Sequence, residues 1–144
     1  MMAKKVFSCV VCDKWADSST KHCAACNKCV KGFDHHCLWL NNCIGSNNYR
    51  KFFILICVYL VHGIFSLNLG VSVHYMEQEE EGYASDLHAL RVCLSVLLIM
   101  LEAVRIFAAL ALVLWHIYLH KIGITTYQFL VEKEELEKLK LKLI

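Results

Sequence analysis

The sequence has no proline and only six glycines in 144 residues. No Gly/Ser-rich linker and no internal repeat is evident, so nothing marks a string of domains on flexible tethers. Charge is scarce too: Asp, Glu, Lys and Arg make up 19%, with a net charge of +2. That scarcity excludes a disordered chain, which would be polar and charge-rich. It also argues against nucleic acid as a partner, because the basic residues are diluted among apolar runs. The opening residues, MMAKKVFSC, lack the apolar core of a signal peptide. What is present is oil and sulfur. Hydrophobic residues reach 58%, mean hydropathy is +0.46, and seven of nine cysteines fall between Cys9 and Cys43. Two compositions are joined end to end.

Clustered cysteines mean disulfides or metal. Here the cluster holds an odd number, in Cys-x-x-Cys pairs interleaved with histidines. A two-residue spacer lets a tight turn aim both sulfurs at one ion, which points to zinc in a reducing, cytosolic environment. Residues 1–51 carry eight Lys/Arg and three acids, a formal +5. Two zinc sites of three thiolates each would bring that nearer to about +3.

Residues 52–76, FFILICVYLVHGIFSLNLGVSVHYM, contain no Lys, Arg, Asp or Glu. A bilayer core of about 30 Å needs about 20 such residues as helix. Residues 77–86, EQEEEGYASD, form an acidic loop. A second apolar run covers 87–119 and is too long for one span; its most apolar stretch is about 94–118. Fourteen strongly apolar residues there favour insertion by about 5–6 kcal/mol, while Glu102 and Arg105 oppose it by about 2.5–3.5 kcal/mol each if unpaired. The two are three residues apart and can pair on one helical face. Arg50 and Lys51 flank the first span on the cysteine side, so the positive-inside rule places the cysteines in the cytosol and the 77–86 loop in the lumen. The tail, with Leu130, Val131, Leu136 and Leu139 among Glu/Lys pairs, is predicted to be an amphipathic cytosolic helix.

Two tetrahedral zinc sites need eight ligands. Cys9–Cys43 offers seven cysteines plus His22, His35 and His36. If six cysteines and two histidines hold metal, one of each is spare, and His35 and Cys37 beside Asp34 have the look of it. An imidazole can take the proton of a neighbouring thiol, and a carboxylate can hold that imidazole in the right tautomer. His36 on zinc would hold Cys37 still. A thiolate beside a membrane span suits a long acyl chain. Ligand counting does not sort the sites: Cys9/Cys12 with Cys26/Cys29 is as plausible as other pairings. An inert zinc module in which every cysteine serves metal fits the same spacing.

Cys9, Cys12, His22, Cys23, Cys26, Cys29, Asp34, His35, His36, Cys37, Trp39, Asn42, Cys43, Gly45, Asn48 and Phe52 fall in a pattern that resembles the DHHC cysteine-rich domain of membrane protein S-acyltransferases (palmitoyltransferases). The resemblance runs over residues 9–128 and covers the family's C-terminal half, the cysteine-rich domain plus the last two spans. It implies a small zinc-stabilised domain of short β-hairpins and loops followed by two transmembrane helices, mostly α overall. The expected organisation is 1–51 cytosolic zinc domain, 52–119 two-span region, 120–144 cytosolic tail.

The resemblance further implies one structural Zn2+ on Cys9, Cys12, His22 and Cys29, and a second on Cys23, Cys26, His36 and Cys43. Cys37 would attack an acyl-CoA such as palmitoyl-CoA, with His35 as base, Asp34 orienting it and Thr126 bracing the loop. The acyl group would pass to cysteines of substrate proteins near the membrane. The alternative is a catalytically weak or inactive membrane-anchored zinc module acting as adaptor or regulator, and a homo- or hetero-oligomer fits either reading.

The chain departs from the pattern in several places. Leu38 stands where proline is usual. ADSS at 16–19 replaces a basic stretch that would meet coenzyme A phosphates, leaving Lys14 and Lys21 for that role. Gln128 replaces the Glu of Thr-Thr-x-Glu, and two earlier spans and an Asp-Pro-Gly motif are not found. Lys140 and Lys142 near the end resemble a dilysine retrieval signal, giving an endomembrane location, endoplasmic reticulum or Golgi.

Overall fold

A computed structural model describes residues 6–79 and 86–143. The core of the expected acidic loop, 80–85, lies outside the described residues; 77–79 close the first long helix and Asp86 opens the second. The architecture is the expected one, short β-hairpins followed by long apolar helices, and mostly helical. The chain divides into two compact units.

The first unit comprises residues 1–53 and 116–144. It holds three antiparallel hairpins: β1 (Val6–Cys9) with β2 (Lys14–Asp17), β3 (Lys21–Cys23) with β4 (Lys28–Val30), and β5 (His35–Cys37) with β6 (Asn42–Ile44). A repeat invisible to composition emerges here. Cys9, Cys23 and Cys37 end the first strands, and Lys14, Lys28 and Asn42 open the second, each fourteen residues after its counterpart. Asp13, Asn27 and Asn41 turn the corners in left-handed backbone, with φ of 49°, 47° and 45°. Asp and Asn tolerate that conformation because their short polar side chains bond locally. The expectation of no internal repeat is therefore corrected: only ligands and corner residues recur, and VV, AA and LW fill the tips.

The hairpins are too small to bury a core, and among the described residues their buried apolar side chains are Cys9, Cys23, Cys37, Cys43 and Ile44. Gly45 follows β6 where space is minimal: a Cβ would fall 2.7 Å from a Val30 methyl and 2.8 Å from the Lys31 carbonyl oxygen. Asn48 joins the third hairpin to α1 (Tyr49–Glu79), donating to the Cys43 carbonyl and accepting from the Gly45 N–H, both at 2.9 Å. The end of α2 (Asp86–Ile122) and α3 (Thr126–Lys142) complete this unit. Thr125 caps α3 in a reciprocal capping box with Gln128: Gln128 N–H donates to Thr125 Oγ1 (3.2 Å), and Thr125 N–H donates to Gln128 Oε1 (2.8 Å). Glu and Gln serve equally at this position of the box.

The second unit, 54–115, is the antiparallel pairing of α1 and α2. His74 bonds Ser95 at 2.8 Å, and Gly63 gives Ile106 and Arg105 room to approach. Arg105 Nε donates to Glu102 at 2.6 Å, its guanidinium also meets His62 Nδ1 at 3.3 Å, and it lies 4.8 Å from the Tyr59 ring centroid. The expected Glu102–Arg105 pair is thus formed and is answered from α1. Two helical stretches, Tyr49–Met76 and His88–Ile122, are long and apolar enough to cross a membrane. Large apolar side chains such as Leu55, Val61, Phe65, Leu98, Val104 and Phe107 lie exposed along them, as lipid-facing surface requires.

Candidate functional site

Side chains alternate faces along a strand, and this sorts the cysteines and histidines. His22 and Cys23 are adjacent on β3 and go to different clusters. Cys9, Cys12, His22 and Cys29 converge in one; Cys23, Cys26, His36 and Cys43 converge in the other. Every member of the second set lies fourteen residues after its counterpart in the first. The register explains part of the convergence, since His22 pairs across with Cys29 and His36 with Cys43.

Both sets fit zinc. Tetrahedral geometry with Zn–S of about 2.3 Å and Zn–N of about 2.05 Å separates sulfur and nitrogen by about 3.5 Å. His22 Nδ1 lies 3.3 Å from Cys12 Sγ and 3.9 Å from Cys29 Sγ. His36 Nδ1 lies 3.3 Å from Cys26 Sγ and 3.8 Å from both Cys23 and Cys43 Sγ. The crowded thiols of each cluster shift apart: Cys9 is held below its ordinary value by the backbone N–H of Cys12, and Cys23, against its burial, by that of Cys26, while Cys29 and Cys43 are pushed up. Hydrogen bonding to Cys9, with burial, pushes Cys29 up to about 12. Burial, with hydrogen bonding to Cys26 and Cys23, pushes Cys43 up to about 12. Three thiolates crowded together ionise jointly only around a metal. The two Cys3His clusters are consistent with structural zinc.

Cys37 belongs to neither cluster. In the hairpin repeat it occupies the position of Cys9 and Cys23, and is buried to the same degree: 8% exposed, against 5% and 7%. The second thiol of the pair, Cys12 and Cys26 in the earlier hairpins, is replaced by Leu40. The third hairpin is a metal-binding turn with half its sulfur removed.

Along β5, His35 and Cys37 share one face and His36 takes the other. Asp34 precedes them, 3% exposed, its N–H bonded to the Ile44 carbonyl. His35 Nδ1 and Asp34 Oδ1 are 2.6 Å apart, and the Thr126 N–H donates to Asp34 Oδ2 at 3.1 Å. Burial pushes the Asp34 carboxyl up, but hydrogen bonds from His35 and Thr126 outweigh it and leave the group below the ordinary carboxylate range. Asp34 is thus the partner of His35 Nδ1. Thr125 caps α3, so Thr126 is the first helical residue and its amide has no partner within the helix; that amide is what meets Asp34. The backbone N–H of Thr126 makes the 3.1 Å contact, and its side chain adds to the hold on the Asp34 carboxylate.

His116, near the end of α2, is 2% exposed and lies with Asp34 and His35. These three could in principle hold an ion, but oxygen and nitrogen bound to one zinc would be about 3.4 Å apart. The 2.6 Å observed between Asp34 and His35 is a hydrogen bond. Tyr49 and Phe52 of α1 pack here as well. Sequence reading gave His116 and Tyr49 no role. The available signal was an imidazole inside an apolar span, where polar groups are rarely idle.

Of the lysines expected near a coenzyme, Lys14 is exposed on β2 opposite Cys9. Lys21 lines a cleft of about 240 Å³ with Ser18, Ser19, Phe33, Tyr127 and Gln128, its ammonium 5.1 Å from the Tyr127 ring centroid. The 16–19 stretch folds around Asp17, which accepts from Ser19 N–H, Ser19 Oγ and Thr20 Oγ1. These bonds hold its carboxyl below the usual range.

Comparison with protein families matches residues 4–133 to the DHHC palmitoyltransferase family. The chain belongs to that family. Comparison with curated proteins gives no match. The matched range takes in all three hairpins, both apolar helices and the first half of α3. Family membership and the two apolar helices together point to a membrane protein.

Proposed function

We propose that this chain is a protein S-acyltransferase that carries a fatty acyl group on Cys37. The observation that carries the reading is the Asp34–His35 hydrogen bond of 2.6 Å beside a cysteine left out of both metal clusters. His35 accepts the Cys37 proton at Nε2 while Asp34 holds Nδ1–H and stabilises the imidazolium. The thiolate attacks the carbonyl carbon of an acyl-CoA, here palmitoyl-CoA. Collapse of the tetrahedral intermediate expels the coenzyme thiolate, which takes the proton from His35, and a thioester remains on Cys37. A cysteine thiol of a substrate protein then gives its proton to His35, attacks that thioester and leaves acylated; Cys37 departs as the thiol. Hydrocarbon surroundings favour delivery of the chain, and substrate cysteines close to the cytosolic membrane surface fit best.

In this reading Cys9, Cys12, His22 and Cys29 hold one zinc ion, and Cys23, Cys26, His36 and Cys43 the other. The ions supply rigidity, since hairpins this small have little core of their own. Arg50 and Lys51 support a cytosolic zinc domain, and Lys140 and Lys142 support retention in the endoplasmic reticulum or Golgi. Lys14 and Lys21 are the groups available to coenzyme phosphates.

The test is labelling. Zinc-loaded protein incubated with labelled palmitoyl-CoA acquires hydroxylamine-sensitive label, and Cys37→Ser does not. Absence of label in fully loaded wild-type protein leaves the adaptor reading in its place.

A further inference from the structure

We infer that His116, held by Tyr49, is a positioning residue for His35, an assignment that rests on the acyl-transfer reading. A buried imidazole without partners is costly, and it keeps its place only if its nitrogens are answered. His116 is 2% exposed, and its Nδ1 lies 3.1 Å from Tyr49 Oη. A ring nitrogen of His116 comes within 4.8 Å of both an Asp34 carboxylate oxygen and a ring nitrogen of His35. The His35 and His116 ring centroids are 5.8 Å apart with planes tilted by 41°. Phe52 meets both edge-on, at 5.2 Å from His35 and 5.1 Å from His116.

His35 is therefore fixed three ways. Asp34 pins one nitrogen, while Phe52 and His116 bound the ring and keep it from swinging away. His116 is itself immobilised by a hydroxyl from the first turn of α1. A base that is already oriented needs no reorganisation when the thiol proton arrives. The arrangement uses Tyr49 and Phe52, one turn apart on α1, and His116 from the end of α2. The base thus depends on where both membrane helices end.

The experiment is alkylation of Cys37 by iodoacetamide in zinc-loaded, full-length protein, read by peptide mass spectrometry with zinc content measured alongside. It needs no acyl-CoA. His35→Ala sets the floor. Tyr49→Phe and His116→Phe are each expected to slow Cys37 alkylation about tenfold, the scale of one hydrogen bond lost from the reacting state, with two zinc ions retained. Because the pair acts as a unit, the double variant is expected to be no slower than the worse single one. In acyl transfer the same variants lower kcat and leave the KM for palmitoyl-CoA unchanged. Wild-type rates in both single variants overturn the inference, as do losses that multiply in the double variant or that accompany zinc loss. If His35→Ala itself alkylates at the wild-type rate, the base assignment fails instead, which separates the two ideas.

Discussion

Replacing Leu40 by cysteine completes the third metal-binding turn and should draw Cys37 into a new zinc site. The corner residues Asp13, Asn27 and Asn41 have φ within a few degrees of one another. Cys9, Cys23 and Cys37 sit at the same place in each ladder, facing Lys14, Lys28 and Asn42. A sulfur at position 40 would stand to Cys37 as Cys12 stands to Cys9. Two thiolates, the His35 imidazole on the same strand face as Cys37, and a water would make a four-coordinate site. The cost in packing is small: Leu40 is 44% exposed, so trimming it loses about 1 kcal/mol of apolar burial. Zinc at 100 times the dissociation constant of the new site leaves about 1% of Cys37 free, so iodoacetamide labelling and acyl-enzyme formation both fall about 100-fold. A mild chelator that spares the two built-in sites restores both. Metal analysis should give three zinc ions per Leu40→Cys chain against two in the wild type. If the variant holds two ions and Cys37 reacts at the wild-type rate in excess zinc, the equivalence of the three hairpins is wrong, and so is the explanation of why Cys37 stays free.

The two clusters are unequal in what they hold. The first joins hairpins one and two, the second joins two and three, so Cys43→Ser is expected to lower Cys37 labelling at least about tenfold more than Cys12→Ser, read by the same alkylation assay. Thr125→Ala removes the cap of α3 and should cost about 1 kcal/mol in thermal unfolding, with slower Cys37 labelling because the Thr126 amide loosens from Asp34. Gly45→Ala forces a Cβ against Val30 and the Lys31 carbonyl and should destabilise the zinc domain by about 1–3 kcal/mol in a protease-resistance assay.

Much of the fold was legible because its signals are local. Twenty-five uncharged residues from Phe52 announce a span, and Cys-x-x-Cys with flanking histidines announces metal. The sorting of ligands was not legible from counting, because strand alternation decides it: neighbours such as His22 and Cys23 part company only once β3 exists. Thr125 and Gln128 already spell a capping box in the sequence, yet that the following amide meets Asp34 depends on a contact between residues 92 positions apart. Tyr49 and His116 are 67 positions apart and meet only when two helices end side by side. The fourteen-residue repeat was hidden because its third copy loses a cysteine and then runs into helix α1.

That loss also explains the order of residues at the site. On β5 the period of the strand separates His36 from His35 and Cys37. His36 turns toward the second cluster, where its ladder partner Cys43 is also a metal-suited group, so this face of the hairpin is tied by two groups to Cys23 and Cys26 of the second hairpin. His35 and Cys37 necessarily take the other face, at the spacing of i and i+2, and inherit that rigidity without being ligands. Asp34, one residue earlier, meets His35 Nδ1 as the strand begins. Inserting one residue between His36 and Cys37 would put the thiol on the metal face and the base on the opposite one. The alternation keeps Cys37 off the face that carries His36 and Cys43; beyond it the third hairpin has Leu40 in place of a second sulfur, and helix α1 follows where the earlier hairpins meet the next pair of ligands.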